Sequence, residues 1–396
     1  MNYILSDGGS FEHLKPLTFT RPVAELRCGI LTVREKWNTY LQTECSYQTI
    51  DYLSHKYPLV IQDANVIINA SFLPHITLVE AIVDMQAHDV LLDSDNTIIA
   101  ACMNSEEVCA LEHVPVEKFN VKRISFDCLK IMYPWDIFSL NSNQIDLDFE
   151  LLTKGRSSQP VSDTNTVLCP ENVFVEKGAS VECAVLQAQN GKIYIGKDAT
   201  VMEGAIIRGP FALCEHATVK MAAKVYEGTT VGPYSKIGGE VQNSVILGYS
   251  NKGHDGYLGN SVIGEWCNLG ADTNNSNLKN DYSLVRAWNY DSHRFIQTGL
   301  QFCGLIMGDH SKTAINTMLN TGTVVGVSAN IFGSGFPRNF VPSFSWGGAQ
   351  GMQEYTLKRA IDVAQRVYAR RGIEFTIHDV DILTDVFEQT KKYRRF

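Results

Sequence analysis

The chain opens with short apolar runs broken by turn-forming residues. Tyr3-Ile4-Leu5 ends in Ser6-Asp7-Gly8-Gly9, which reads as a strand and its turn. Spacing of the apolar positions predicts helices over Val33–Leu41 and Ile76–Ala87, and Val66-Ile67-Ile68-Asn69 reads as a buried strand. Asp89–Leu92 and Thr97–Ala101 read as strands around an Asp93-Ser94-Asp95-Asn96 turn. This alternation predicts an α/β domain on a largely parallel sheet. It closes near Asp148, after Tyr133-Pro134-Trp135-Asp136, and the polar stretch Lys154–Thr164 reads as a linker.

From Val167 the pattern changes to one aliphatic position in six, with Gly or a small residue nearby. It is clearest in Val175–Ser180, Val201–Ala205, Leu213–Val219, Val225–Gly232 and Ile237-Gly238, and returns at Val262–Gly264, Leu269–Ala271 and Thr323–Gly326. Neither a helical nor an alternating period can be sustained here. A period of six predicts a parallel β-helix with three flat faces per coil, the aliphatic residue pointing inward and small residues at the corners. Tyr282–Ser311, rich in aromatics, breaks the beat and reads as an excursion from the coil. Leu357, Ile361, Ala364 and Tyr368 then recur at helical spacing up to Gly372, and a second helix is predicted over His378–Thr390. This tail is expected to cap the open end of the coil. The predicted domains are therefore 1–155 (α/β), 156–350 (β-helix) and 351–396 (helical tail).

At 396 residues the chain can bury two or three cores, and 44% hydrophobic with 19% charged residues reads as globular. A net charge of −9 argues against a general nucleic-acid binder, and the closing KKYRR run reads as a solvated end. The ten cysteines lack a CxxC pair and read as reduced residues. MNYILSDGG is too short and acidic for a signal peptide, and no apolar run approaches the ~18 residues of a membrane span, so a cytoplasmic protein is expected.

Candidate chemistry concentrates in Gly248–Lys279. His254 lies in Gly253-His254-Asp255-Gly256-Tyr257-Leu258-Gly259, followed by Asn268, Asn274, Asn275 and Asn277. A histidine flanked by glycines on a rigid coil can act as a base near neutral pH. The bland alternative is a loop histidine with asparagines that form turns or an inward ladder. Near the start, a strand, glycines, a basic residue and a helix can form a phosphate-binding loop, here through Gly8, Gly9 and Arg21.

Taken together, an α/β domain, a six-residue repeat and a His-x-x-Tyr-Leu-Gly segment resemble the bifunctional GlmU-type enzymes. Those acetylate glucosamine 1-phosphate and uridylylate the product to UDP-N-acetylglucosamine. The resemblance implies a nucleotidyltransferase-like, Rossmann-like first domain and a left-handed β-helix. It also implies that His254 is the catalytic base, with Tyr257, Asn268 and Asn277 as sugar contacts, although Asn289-Tyr290-Asp291 imitates the last motif. Lys252 and Lys279 would meet phosphates, and backbone near Ala271 would hold the oxyanion. Acetyl-CoA is the implied acyl donor, a sugar phosphate the acceptor, UTP the nucleotide, Mg2+ the metal of nucleotidyl transfer, and a homotrimer the assembly. The first domain departs from the pattern: Val23 stands where the family has a lysine, and Ser71 where it has a metal-holding aspartate. Either Asp7, Asp63, Asp93 or Asp95 holds the metal, or this half is a binding domain only. Three functions stay open: the acetyltransferase, a sugar-1-phosphate nucleotidyltransferase whose β-helix serves oligomerisation, and a non-catalytic sugar-nucleotide binding protein.

Overall fold

The computed structural model describes residues 1–109 and 118–396. The chain divides into two compact units, and the polypeptide passes between them more than once: Lys15–Thr20 and Arg27–Ile30 group with the second unit, whose main body begins at Pro134.

In the first unit, β1 (Asn2–Ser6), β2 (Ser46–Gln48), β3 (Ala64–Asn69), β4 (Asp89–Leu92), β5 (Ile98–Asn104) and β6 (Asn120–Arg123) form one sheet in the order β2-β1-β3-β5-β4-β6. It is largely parallel as expected. Only β5 runs the other way, because the Asp93–Asn96 turn folds β4 and β5 into a hairpin. Helix α1 spans Val33–Leu41, as the spacing predicts. Its start is fixed by a capping box, in which Thr32 Oγ1 accepts from the Glu35 N–H and Glu35 Oε2 accepts from the Thr32 N–H. Helices α2 (Asp51–Ser54), α3 (Ile76–Val83) and α4 (Ser105–Cys109) complete the unit. Helix α3 stops at Asp84, short of the expected Ala87.

The second unit is a three-faced parallel β-helix. Its first face stacks strands from Thr166–Leu168 to Tyr257–Gly259, its second from Val173–Val175 to Phe340–Val341, and its third from Ser180–Val181 to Ser345–Gly348. Inward residues repeat in register: Val181, Val201, Val219 and Ile237 on the third face, and Leu186, Ile207, Val225, Val241 and Leu258 on the first. The corner after the second face repeats too. His216, Tyr234, Tyr249, Trp266 and His310 all have left-handed backbone there, and successive rings stack, with Tyr249 and Trp266 at 4.3 Å and 10°.

The twenty-residue helix α5 (Pro134–Thr153) packs on the β-helix: Phe149 meets Phe174, and Asn141 Nδ2 donates to the Gly228 carbonyl at 2.8 Å. Lys154–Thr164 is not a loose linker, because Gln159 N–H donates to the Val175 carbonyl and Ser158 Oγ accepts from the Val175 N–H.

The tail helices α6 (Leu357–Ala369) and α7 (Ile377–Thr390) are present as predicted, and Phe387 of α7 packs on Phe344 of the last coil at 5.0 Å, as a cap would. The last strand of the third face is covered by the antiparallel strand Gly351–Glu354. Helix α6 instead lies on the aromatic corner, where Tyr368 stacks on Trp266 at 3.9 Å and on His310 at 6.1 Å. In KKYRR, Lys391, Lys392 and Arg395 are exposed as expected, while Tyr393 and Arg394 are partly buried. Arg394 lies 4.1 Å over the Phe387 ring and bonds Glu354, Thr390 and the Phe387 carbonyl.

On the first face the ladder breaks after Tyr257–Gly259; Asn274–Asn275 pairs only with Met318–Leu319. Side-chain amides replace the missing rungs. Tyr257 N–H donates to Asn274 Oδ1 at 2.8 Å and Gly259 N–H to Asn275 Oδ1 at 3.0 Å. Asn275 takes the inward place of an aliphatic residue to do this, and it is buried. Asn275→Leu would extend the aliphatic ladder yet leave a buried N–H without its acceptor. We expect it to lower unfolding stability by about 1–3 kcal/mol in urea denaturation; an increase would contradict this account of the break.

Candidate acyl-transfer corner

His254 stands at the corner between third-face strand Asn251–Lys252 and first-face strand Tyr257–Gly259. It is exposed. The corner is shaped by Gly256, whose φ is +114° and where a Cβ would collide with the Thr273 carbonyl. Asp272 N–H donates to the Asp255 carbonyl at 3.0 Å, so Ala271 lies in register one coil beyond His254, on the order of 4.8 Å of rise. The Ala271 carbonyl accepts from Asn316 N–H.

The remaining residues singled out from the sequence divide between two faces. Tyr257 points outward on the first face, and its ring lies along the strand over Gly259, where any Cβ would strike its hydroxyl. Its Oη therefore points away from His254. It donates to Gln242 Oε1 at 3.0 Å and accepts from Asn277 Nδ2 at 2.9 Å; Asn277 also donates to Asn260 Oδ1 at 2.8 Å. Burial raises the Tyr257 phenol pKa, so the group stays protonated. Asn268 lies on the neighbouring third face, exposed, paired in register with Asn251 and Lys312. Asn274 and Asn275 serve the coil. The inward-ladder alternative thus holds for Asn275 and the ligand reading stays available for Asn277. Gln242 and Asn260 were missed; the Asn that directly follows Tyr-Leu-Gly was the available signal.

Lys252 is not a surface cation for phosphate. It occupies an inward position paired with Ile237, is 3% exposed, and its Nζ donates to the His254 carbonyl at 2.6 Å. Burial holds its pKa down to about 8. Lys279 does face open space. With Arg286, His293, Arg294 and Phe295 it lines a cavity of about 440 Å³. This continues through Trp288 and Asn339 into a cavity of about 1180 Å³ lined by Arg338, Phe340, Lys392, Tyr393 and Arg395. No Asp or Glu lies among the described lining residues, although the chain is acidic overall. Asn289 and Tyr290, in the competing motif, are buried and outside both cavities.

In the first unit the loop after β1 meets the end of β3. Gly8 has φ +55°, and a Cβ there would come within 2.7 Å of Asn69 Oδ1. Gly9 has open space around it. Asn69 Oδ1 accepts from both the N–H and the hydroxyl of Ser71, at 3.0 and 2.8 Å. Arg21 is buried, not an exposed cation of the loop.

These residues do not fit a magnesium site. No group of three or more His, Cys, Asp or Glu side chains converges among the described residues. Asp93 and Asp95 both bind Lys130, and Asp63 is exposed. Asp7 accepts from Val23 N–H at 2.7 Å and Thr49 Oγ1 at 2.5 Å. Burial pushes its pKa up to about 6, which disfavours the carboxylate a hard cation needs.

A family model described as sugar nucleotidyl transferase matches residues 3–157. A bifunctional sugar-1-phosphate nucleotidylyltransferase/acetyltransferase of Sulfurisphaera tokodaii is 32% identical over 174 residues, 43% of this chain and 42% of the relative. The bifunctional protein GlmU of Methanocaldococcus jannaschii is 37% identical over 118 residues, 30% of this chain and 26% of the relative. Over part of its length the chain is similar to GlmU-type proteins. GlmU of Methanococcus vannielii is 33% identical over 123 residues, 31% of this chain and 27% of the relative. The chain thus spans less than half the length of those three relatives. No helix among its described residues is long and apolar enough to cross a membrane.

Asp7 offers a test of the first unit. Its folded pKa lies above the ordinary carboxylate value, so its contribution to stability is complete below about pH 4 and is lost as pH rises through about 6. Asp7→Asn should raise unfolding stability at pH 8, on the order of 2 kcal/mol, with the gain shrinking below pH 5. A destabilised variant at pH 8 would contradict this reading of Asp7.

Proposed function

We propose that the β-helix transfers an acetyl group from acetyl-CoA to the amino group of glucosamine 1-phosphate, with His254 as the base. The observation that carries this is the exposed imidazole on a glycine-shaped corner, in register with Ala271. Neutral His254 takes a proton from the substrate amine, whose nitrogen attacks the thioester carbonyl carbon. An Ala271 backbone N–H faces the oxyanion, the C–S bond breaks, and the leaving thiolate takes a proton. Asn268 on one face and the Tyr257–Asn277–Asn260 set on the other serve as sugar contacts. The Lys279–Arg286–Arg294 cavity and its extension past Arg338 and Lys392 suit the phosphates and flat ring of the donor.

That groove opens between the first and second faces, because Lys279, Thr321 and Asn339 precede second-face strands. His254 lies at a different corner. In a homotrimer, the donor held by one copy would serve the His254 of its neighbour.

The family match over the first unit favours nucleotide binding there, with UTP as the ligand to try. In this second reading a phosphate oxygen of the acetylated sugar would attack the α-phosphorus of UTP, whose bond to pyrophosphate breaks. The residues do not fit magnesium, and no step is derived through it.

The acetyl-transfer reading predicts coenzyme A release from acetyl-CoA and glucosamine 1-phosphate. His254→Ala should cut that rate by roughly 10²–10⁴-fold with the thermal midpoint unchanged. Full release by the variant would remove His254 from the chemistry.

A further inference from the structure

We infer that Lys252 is a positioning residue for His254: from inside the coil it holds the His254 carbonyl and so fixes the direction in which the imidazole leaves the corner. This rests on the acetyl-transfer reading of that corner. Inward positions of the third face read Val181, Val201, Val219 and Ile237 before Lys252, and Leu269, Thr313 and Ile331 after it. An aliphatic residue would continue that ladder.

A lysine there costs stability, because an ammonium leaves water for an apolar interior, and an apolar residue of similar volume is often as stable or more so. Packing alone therefore does not account for it. What the lysine supplies is a single directed bond, from Nζ to the His254 carbonyl at 2.6 Å.

The corner needs such a bond. Gly256 is confined by the Thr273 carbonyl, and Asp255 is tied to the next coil through Asp272 N–H. Gly253, on the other side of His254, has nothing within 4 Å of where a Cβ would lie, and glycine there leaves the backbone soft. Lys252 anchors this soft side. The charges acting on its amine are the Asp255 and Asp272 carboxylates, which favour the ammonium, while burial opposes it.

Lys252→Met in the full chain tests the assignment, with Lys252→Leu as a second variant that matches the Leu269 rung. We expect an unchanged or higher thermal midpoint and at least tenfold faster hydrogen exchange confined to residues 253–257. Coenzyme A release should show kcat lowered tenfold or more, with KM for glucosamine 1-phosphate within about threefold.

Wild-type kcat with wild-type exchange in both variants would overturn the inference. So would a fall in midpoint with faster exchange along the whole coil, the signature of a residue that only packs. A large rise in KM at constant kcat would also overturn it, since that marks a ligand contact. If the wild-type chain itself releases no coenzyme A, the acetyl-transfer reading fails on its own. The exchange measurement then decides whether Lys252 holds the corner.

Discussion

Parallel backbone pairing from coil to coil is the constraint on which the second unit depends. Each strand bonds the equivalent strand before and after it, so one position in the coil recurs as a column through the structure. Columns of aliphatic side chains fill the interior. At one corner a column of left-handed residues carries His216, Tyr234, Tyr249, Trp266 and His310, and their rings stack because the backbone rise brings them together. Helix α6 is recruited by the same column through Tyr368. Helix α6 is thus held by register, while Phe387 of α7 packs on Phe344 of the last coil.

Against such regularity, departures carry information. The inward columns carry polar rungs at Thr229 and Thr323 on the second face and Thr313 on the third, and near the His254 corner at Lys252 on the third face and Asn275 on the first. There the first-face ladder also breaks, and the corner with His254 lies between them. At Lys252 an aliphatic residue would be as stable or more so, so that rung marks where the fold gives up stability for placement. The two do different work. Asn275 restores backbone bonding where a rung is missing, and Lys252 reaches the carbonyl of the exposed histidine.

Much of this was legible in the sequence. The six-residue beat was enough for the three-faced coil, and apolar spacing placed α1 to the residue. His254 and Ala271 were singled out separately, and the coil puts them in register. What stayed hidden followed from coil length. Inward positions are 18 residues apart from Val219 to Ile237, then 15 from Ile237 to Lys252 and 17 from Lys252 to Leu269. Turns that shorten at the corner move a residue from outside to inside without any change in composition, and a lysine then reads as surface. Helix α5 was not predicted; its residues read only as the close of the first domain near Asp148. The cationic groove escaped notice because Arg286, Arg294, Arg338 and Arg395 are far apart in sequence, and only the hairpin and the tail bring them around common cavities.

A crystal structure of the chain with coenzyme A and glucosamine 1-phosphate tests the central claim most directly. The account predicts the sugar amine within hydrogen-bond reach of the His254 imidazole, with the donor phosphates on the Lys279–Arg286–Arg294 side of the groove. A sugar phosphate bound elsewhere, with His254 facing bulk solvent, would contradict it.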